Sequence, residues 1–195
     1  MNKNIILIIL FITLLGSGAS WVINKANLSH KIPVIGDVPE FSFMNQNGDP
    51  FTNKNFENKI TVLDFIFTTC PGPCPTMTYN MTNLYHDFDA VTEVQFVSIT
   101  VDPETDNIDV LKEYAEVNGV NDERWSFLYS DINSIKELKR DGFMLYSDEL
   151  PRGHAIKFIL IDQNGSIRKY FDGTDEASIA ILRKDITSLV KTIRS

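Results

Sequence analysis

Positive charge is in short supply along this chain: 18 Lys and Arg face 26 Asp and Glu, a net charge of −8 at neutral pH. That balance argues against a nucleic-acid partner, because phosphate binding needs a basic footprint. A basic protein partner is compatible with it. Internal repeats, low-complexity runs and a second domain boundary are all missing. The roughly 155 residues beyond the N-terminal region therefore read as one domain with room for a full core. Histidine is sparse, with three copies, and cysteine sparser, with two. A closed four-ligand zinc site has no obvious fourth ligand, although Asp102 or water could supply one. Neither cysteine lies in the first 25 residues, which excludes a bacterial lipoprotein.

What is present is concentrated in one turn. Thr68-Thr69-Cys70-Pro71-Gly72-Pro73-Cys74-Pro75 carries both cysteines, between a strand-like apolar run and a helix-like segment. Each cysteine precedes a proline, which disfavours the α region for both. The two are therefore not simply i and i+4 on one helical face. Cys70 is expected to end the strand side of the turn. Cys74 is expected at the N-cap, with Pro75 at the first helical position, where a missing N–H costs nothing. The partial positive charge of a helix N-terminus favours a thiolate at Cys74. Gly72 is expected to let the chain fold back so that the sulfurs approach. Such a pair has two chemical uses: it closes a disulfide, or it binds a soft metal ion as two thiolates. A plain stabilising bridge is the blander alternative, although so small a loop constrains the unfolded chain little.

Residues 5–23 hold no charge, 19 positions in all, against the roughly 20 needed to cross a bilayer. Lys3 and the amino terminus form a positive inner flank. Residues 1–25 are expected to be an uncleaved signal anchor. A cleaved signal peptide is the alternative, since Gly16-Ser17-Gly18-Ala19-Ser20 offers small residues. Either reading sends the linker (26–38) and the domain (39–195) to an oxidising compartment, where cysteine pairs cycle or must be kept reduced. In the anchored form the protein is single-pass in the cytoplasmic membrane, its domain facing the periplasm or extracytoplasmic side.

The domain alternates strands and helices. Residues 41–44 and the turn 45–48 look like a hairpin start. Residues 60–67 are nearly all apolar, as in a central strand covered on both faces. A helix follows from Pro75 to about Asp89, then a strand over 94–101. A helix over about 107–117 has Ile108, Leu111, Tyr114 and Ala115 in helical spacing. A short strand at 125–128 and a helix over 132–140 come next. Residues 157–162 and 167–171 flank Gln163-Asn164-Gly165 as an antiparallel hairpin. A helix over 174–193 closes the chain. The order predicts an α/β fold: a central mixed sheet flanked by helices.

That order, with cysteines after the first central strand, resembles the thioredoxin fold. Asp64 stands six residues before Cys70, where thioredoxins carry a buried aspartate. Two features depart from thioredoxin: three residues separate the cysteines instead of two, and no proline stands near Ile156. Both departures fit another branch. Phe65-Ile66-Phe67-Thr68-Thr69-Cys70-Pro71-Gly72-Pro73-Cys74-Pro75 resembles the signature of the SCO/SenC copper chaperones. So does Ser98-Ile99-Thr100-Val101-Asp102-Pro103-Glu104-Thr105-Asp106, and so does Gly153-His154-Ala155-Ile156-Lys157-Phe158-Ile159-Leu160-Ile161-Asp162. The resemblance spans roughly residues 39–193. It implies a membrane-anchored metallochaperone that binds one copper ion through Cys70, Cys74 and His154. Its client would be the copper-accepting subunit of cytochrome c oxidase, served by copper delivery, by reduction of that site's cysteines, or both. Many members have an acidic residue before the histidine; here it is Gly153. The chemistry agrees: thiolates favour Cu(I), and an imidazole completes a low-coordinate site open to ligand exchange.

Other residues read less sharply. Asp64, set among Val62, Leu63, Phe65 and Ile66, is expected to be buried with a raised pKa. Asp102 either begins a turn before a helix or lies beside the metal site. Met77 and Met81 read as core, His86 as a partly exposed helix residue, His30 as a linker residue and Arg152 as a solvated loop arginine. The enzyme-class alternative is an extracytoplasmic thiol–disulfide oxidoreductase acting through the redox-active Cys70 and Cys74. A peroxiredoxin-like peroxidase is a further one, poorly matched by Pro71-Gly72-Pro73-Cys74.

Overall fold

Two strands of seven residues, β4 (Ile60–Ile66) and β5 (Val94–Thr100), are buried at every position. That is why both read as near-continuous apolar runs rather than alternating ones. They lie side by side in parallel, from Ile60 opposite Val94 to Ile66 opposite Thr100. The computed structural model describes residues 12–13, 16–18, 32–151 and 155–194. Residues 34–195 form one compact unit. Most of the expected anchor, His30 and the Arg152-Gly153-His154 segment lie outside the described residues. Among the described residues no helix is long and apolar enough to cross a membrane.

The remaining strands build outward from that central pair. β6 (Trp125–Tyr129) continues the sheet in parallel beside β5, and β7 (Lys157–Ile161) runs antiparallel on the other side of β4. β8 (Ser166–Asp172) pairs antiparallel with β7, and the turn between them holds Gly165 at φ +77°, a left-handed conformation that suits glycine. β2 (Ser42–Asn45) and β3 (Pro50–Thr52) form the expected N-terminal hairpin, docked through β2 on β6. A two-residue strand, β1 (Gly36–Asp37), pairs with β8 inside the segment read as linker. The order across the sheet is β1-β8-β7-β4-β5-β6-β2-β3.

Four helices follow the predicted spacing. α1 (Cys74–Asp87) and α2 (Ile108–Val117) connect the parallel strands. α3 (Ile132–Glu137) is short, and α4 (Glu176–Ile193) closes the chain. Asn107, Asp131 and Asp175 cap α2, α3 and α4 by accepting from backbone N–H groups, each worth about 1 kcal/mol. The two sheet faces differ. On one, Tyr85 of α1 packs its ring on Phe96 and Trp125, and Tyr114 of α2 packs on Phe127. Arg183 of α4 meets Asp87 of α1 at 2.5 Å. On the other, Leu63, Phe65, Val97 and Ile99 join Ile135, Leu138 and Phe143 in one hydrophobic cluster.

The helix expected over 132–140 gives way to a π-turn at Leu138–Gly142. Its last residue makes a close approach to the N-terminal segment. A side chain at Gly142 would sit 2.9 Å from the Pro39 ring. The turn buries Lys139 completely; its ammonium lies 5.8 Å from the Phe65 ring centroid and donates to the Tyr146 carbonyl. Burial lowers its pKa to about 8.

Candidate metal centre

The sulfur site begins where the β4–β5 ladder ends. Val101 N–H still donates to Ile66 O at 2.8 Å. Beyond that point β4 has no strand beside it, and a side chain takes over. Thr68 N–H donates to Asp106 Oδ2 at 3.0 Å and Thr68 Oγ1 to Asp106 Oδ1 at 2.5 Å. Thr100 Oγ1, at the end of β5, also donates to Oδ2, at 2.6 Å. Asp106 is fully buried. Its own backbone is placed by a turn in which Thr105 N–H and Asp106 N–H donate to Asp102 O, at 3.0 and 2.8 Å. Asp102 thus does what a turn-initiating Asp-Pro does, while the buried carboxylate four residues on reaches the cysteine turn. Residue-by-residue reading passed over Asp106. The available signal was a second aspartate just ahead of the Asn107 cap.

Hydrogen bonds within the turn help to hold it. Cys70 N–H donates to Phe67 O at 3.3 Å, and Gly72 N–H points at Cys70 Sγ at 3.4 Å. Gly72 does not take the left-handed conformation, and an added Cβ would meet only Cys70 Sγ, at 3.8 Å. The helix starts one residue earlier than expected. Pro73 is the N-cap, Cys74 the first helical residue and Pro75 the second. The pre-proline restriction disfavours the α region without forbidding it, and the Pro73 carbonyl gains the first helical bond, from Met77 N–H at 3.0 Å.

Cys70 and Cys74 are both buried, and they are thiols rather than halves of a disulfide. Burial pushes the Cys74 thiol well above its ordinary range. A hydrogen bond with Cys70 adds to this, and one with the Phe67 backbone works the other way. The helix N-terminus was expected to favour a thiolate here; desolvation wins because the sulfur is 1 % exposed. The sulfurs are within hydrogen-bonding reach of each other, close enough to share one ligand or to close on one another.

Asp64 lies beneath them on the α1 face. Ser98 Oγ donates to its Oδ1 at 2.6 Å, and Trp125 Nε1 donates to Ser98 Oγ at 3.0 Å. Its Oδ2 is buried with no hydrogen-bond partner. Burial raises its pKa to about 7, against the lowering effect of the Ser98 bond. Its charge in turn adds to the upward push on Cys74. Tyr114 Oη shares a 2.8 Å hydrogen bond with Thr78 Oγ1 on α1. Burial raises its pKa to about 12, the Thr78 bond opposing.

Met77 and Met81 are fully buried core residues, as expected, and the His86 side chain is about half exposed. Among the described residues no group of three or more His, Cys, Asp and Glu side chains converges on a metal position. The dithiol supplies two donors, and His154, the third ligand implied by the family resemblance, lies outside the described residues. The chain re-enters the described structure close to α1. Gly173 N–H donates to Ile156 O at 3.2 Å, and Asn80 of α1 donates to Gly173 O at 2.9 Å. An added Cβ at Gly173 would stand 3.0 Å from Met77. Ile156 is therefore tied to the first turns of the helix that Cys74 opens.

Known proteins share this architecture. The SCO1/SenC family model matches residues 36–191. The SCO1 protein homolog of Bacillus subtilis is 30 % identical over 166 residues, covering 81 % of this chain and 85 % of that protein. BsSco, described as a member of the Sco family of cytochrome c oxidase assembly proteins with a disulfide switch, superposes with a TM-score of 0.73. It is 26 % identical and the match covers 84 % of this chain and 99 % of BsSco. ScoI of Bradyrhizobium japonicum, solved with copper bound, gives a TM-score of 0.63 at 25 % identity over 77 % of this chain and 98 % of its own. The family match begins at β1 and ends within the last helix, and the relatives are covered over most of their length. This chain belongs to the SCO1/SenC family and carries its thioredoxin-like fold.

Proposed function

We propose that this protein is a copper metallochaperone for the dinuclear copper site of cytochrome c oxidase, carrying one copper ion per chain on Cys70, Cys74 and His154. The observation that supports it most is the pair of buried thiols in contact at the head of α1, in a family with a copper-bound member. The donor set fits the cargo. Two sulfurs select a soft ion such as Cu(I) and leave too few ligands for a closed zinc site. Copper would arrive as Cu(I) or Cu(II) and leave by ligand exchange, which a two-sulfur, one-imidazole site allows. The residues around the sulfurs exclude water: Phe67 and Val101 are buried in the same cluster. Binding must release the protons that burial holds on the thiols. The tie between Ile156 and the first turns of α1 is what favours His154 as the third ligand. Residues 1–25 serve as the membrane anchor, 26–38 as the linker and 39–195 as the copper-binding domain, outside the cytoplasm.

A second reading has its own support. Thiols in contact can close to a disulfide, and BsSco is described as carrying a disulfide switch. In that reading the protein reduces client cysteines, and copper is incidental.

Anaerobic copper titration of the reduced full-length protein tests the first. Cys70→Ser or Cys74→Ser abolishes tight binding, and His154→Ala weakens it while leaving the dithiol oxidisable. Unchanged affinity in His154→Ala would sink the three-ligand model. In cells lacking the protein, added copper should restore the oxidase. Rescue by a thiol reductant but never by copper, with His154→Ala fully active, would establish the reductant instead.

A further inference from the structure

Three of the eight positions from Thr68 to Pro75 are prolines, and each removes a backbone donor. The turn that carries both sulfurs therefore has few N–H groups with which to hold itself. Its strand side is secured from outside. Thr68, two residues ahead of Cys70, gives both its N–H and its hydroxyl to Asp106, and the same carboxylate takes the Thr100 hydroxyl. All three partners donate, which suits a group with only acceptors. The Asp106 backbone is held by the Asp102 turn, just ahead of the Asn107 cap.

We propose that Asp106 is a positioning residue for the dithiol. By holding Thr68 it sets where the Cys70 sulfur stands relative to Cys74. It thereby sets the dithiol–disulfide equilibrium of the pair and its hold on a soft metal ion. The copper half of this inference rests on the function proposed above; the redox half does not. The contacts are seen with the dithiol, and the proposal is that they weaken as the sulfurs close on each other; losing them then removes a stabiliser of the dithiol and eases oxidation.

The test equilibrates the full-length chain with glutathione buffers. The Cys70 and Cys74 thiols pass two electrons and two protons to glutathione disulfide, which becomes two glutathione thiols as the protein S–S bond forms. Asp106→Ala should shift this equilibrium at least tenfold toward the protein disulfide, about 30 mV more negative. It should also lower Cu(I) affinity at least tenfold against a competing chelator. Asp106→Asn keeps an acceptor oxygen and should shift both less, in the same direction. Thr68→Val, which loses only the hydroxyl contact, serves if the alanine variant does not fold, and should shift the equilibrium about threefold. Asn107→Ala is the control: it loosens α2 without touching Thr68 and should leave the potential unchanged. A lowered melting temperature with unchanged potential in Asp106→Ala or Thr68→Val would overturn the proposal and leave Asp106 a fold anchor. If the potential shifts while even the unsubstituted protein binds no copper, the positioning role stands and the chaperone reading falls.

Discussion

Asp64 and Asp106 are both buried carboxylates near the cysteine turn, and they sit in opposite circumstances. Asp64 lies within β4, paired across to Ser98 of β5. It receives one hydrogen bond, from Ser98, and one of its oxygens has no partner. Asp106 lies just past the ends of β4 and β5, where Thr68 N–H and two threonine hydroxyls are left over, and it collects all three. The middle of a sheet has no spare donors, and its edge has several. A carboxylate in the middle is therefore pushed toward its neutral form, whereas one at the end serves as an acceptor that ties loops together.

The contrast breaks most visibly with pH. Asp64 has its pKa raised from 3.8 to about 7, so between those values the native state binds more protons than the unfolded state. Stability then falls as pH rises. The contribution is full below about pH 4 and lost by about pH 7, for a total of up to about 4 kcal/mol. Asp64→Asn should abolish that slope and be the more stable protein at pH 8. Urea melts at pH 5 and pH 8 measure it; a variant with the parent's pH slope would show that Asp64 is not the group.

Asp106→Ala should cost about 3 kcal/mol, because it strands a buried N–H and two hydroxyls. Denaturant melts read it, and a loss under about 1 kcal/mol would mean that water replaces the carboxylate. Ser98→Ala removes the one donor to Asp64 and strands Trp125 Nε1, at a cost of about 1–2 kcal/mol. It should also move the Asp64 pKa further up, visible as a later carboxyl titration by NMR; a downward move would refute the desolvation account. Asn107→Ala removes the α2 cap beside Asp106 and should cost about 1 kcal/mol. Hydrogen exchange confined to residues 108–111 would mark it as local.

Much of this was legible in the residues. Ile60–Ile66 and Val94–Thr100 read as central strands because a strand buried on both faces must be apolar throughout. The Gln163-Asn164-Gly165 hairpin follows from local chemistry, whereas the caps at Asn107 and Asp175 came with the structure. The cysteine turn named itself, and with the two further motifs it pointed to the family. Burial of Asp64 followed from its apolar neighbours in the strand. The readings that shifted were finer ones: Cys74 as N-cap, the thiolate at the helix start and the straight run of helix to Arg140.

What the sequence determined, then, is what neighbours within a few positions set: periodicity, turns and the spacing of the sulfurs. What the tertiary structure alone decided is who meets whom across the sheet. Thr68 and Asp106 are 38 residues apart, and no local pattern says that the parallel pairing of Ile66 with Thr100 will bring them together. The protonation of Cys74 was decided there too. A helix end acts within one turn of chain, whereas desolvation is the summed effect of every element packed over the sulfur, and that sum exists only once the chain has folded.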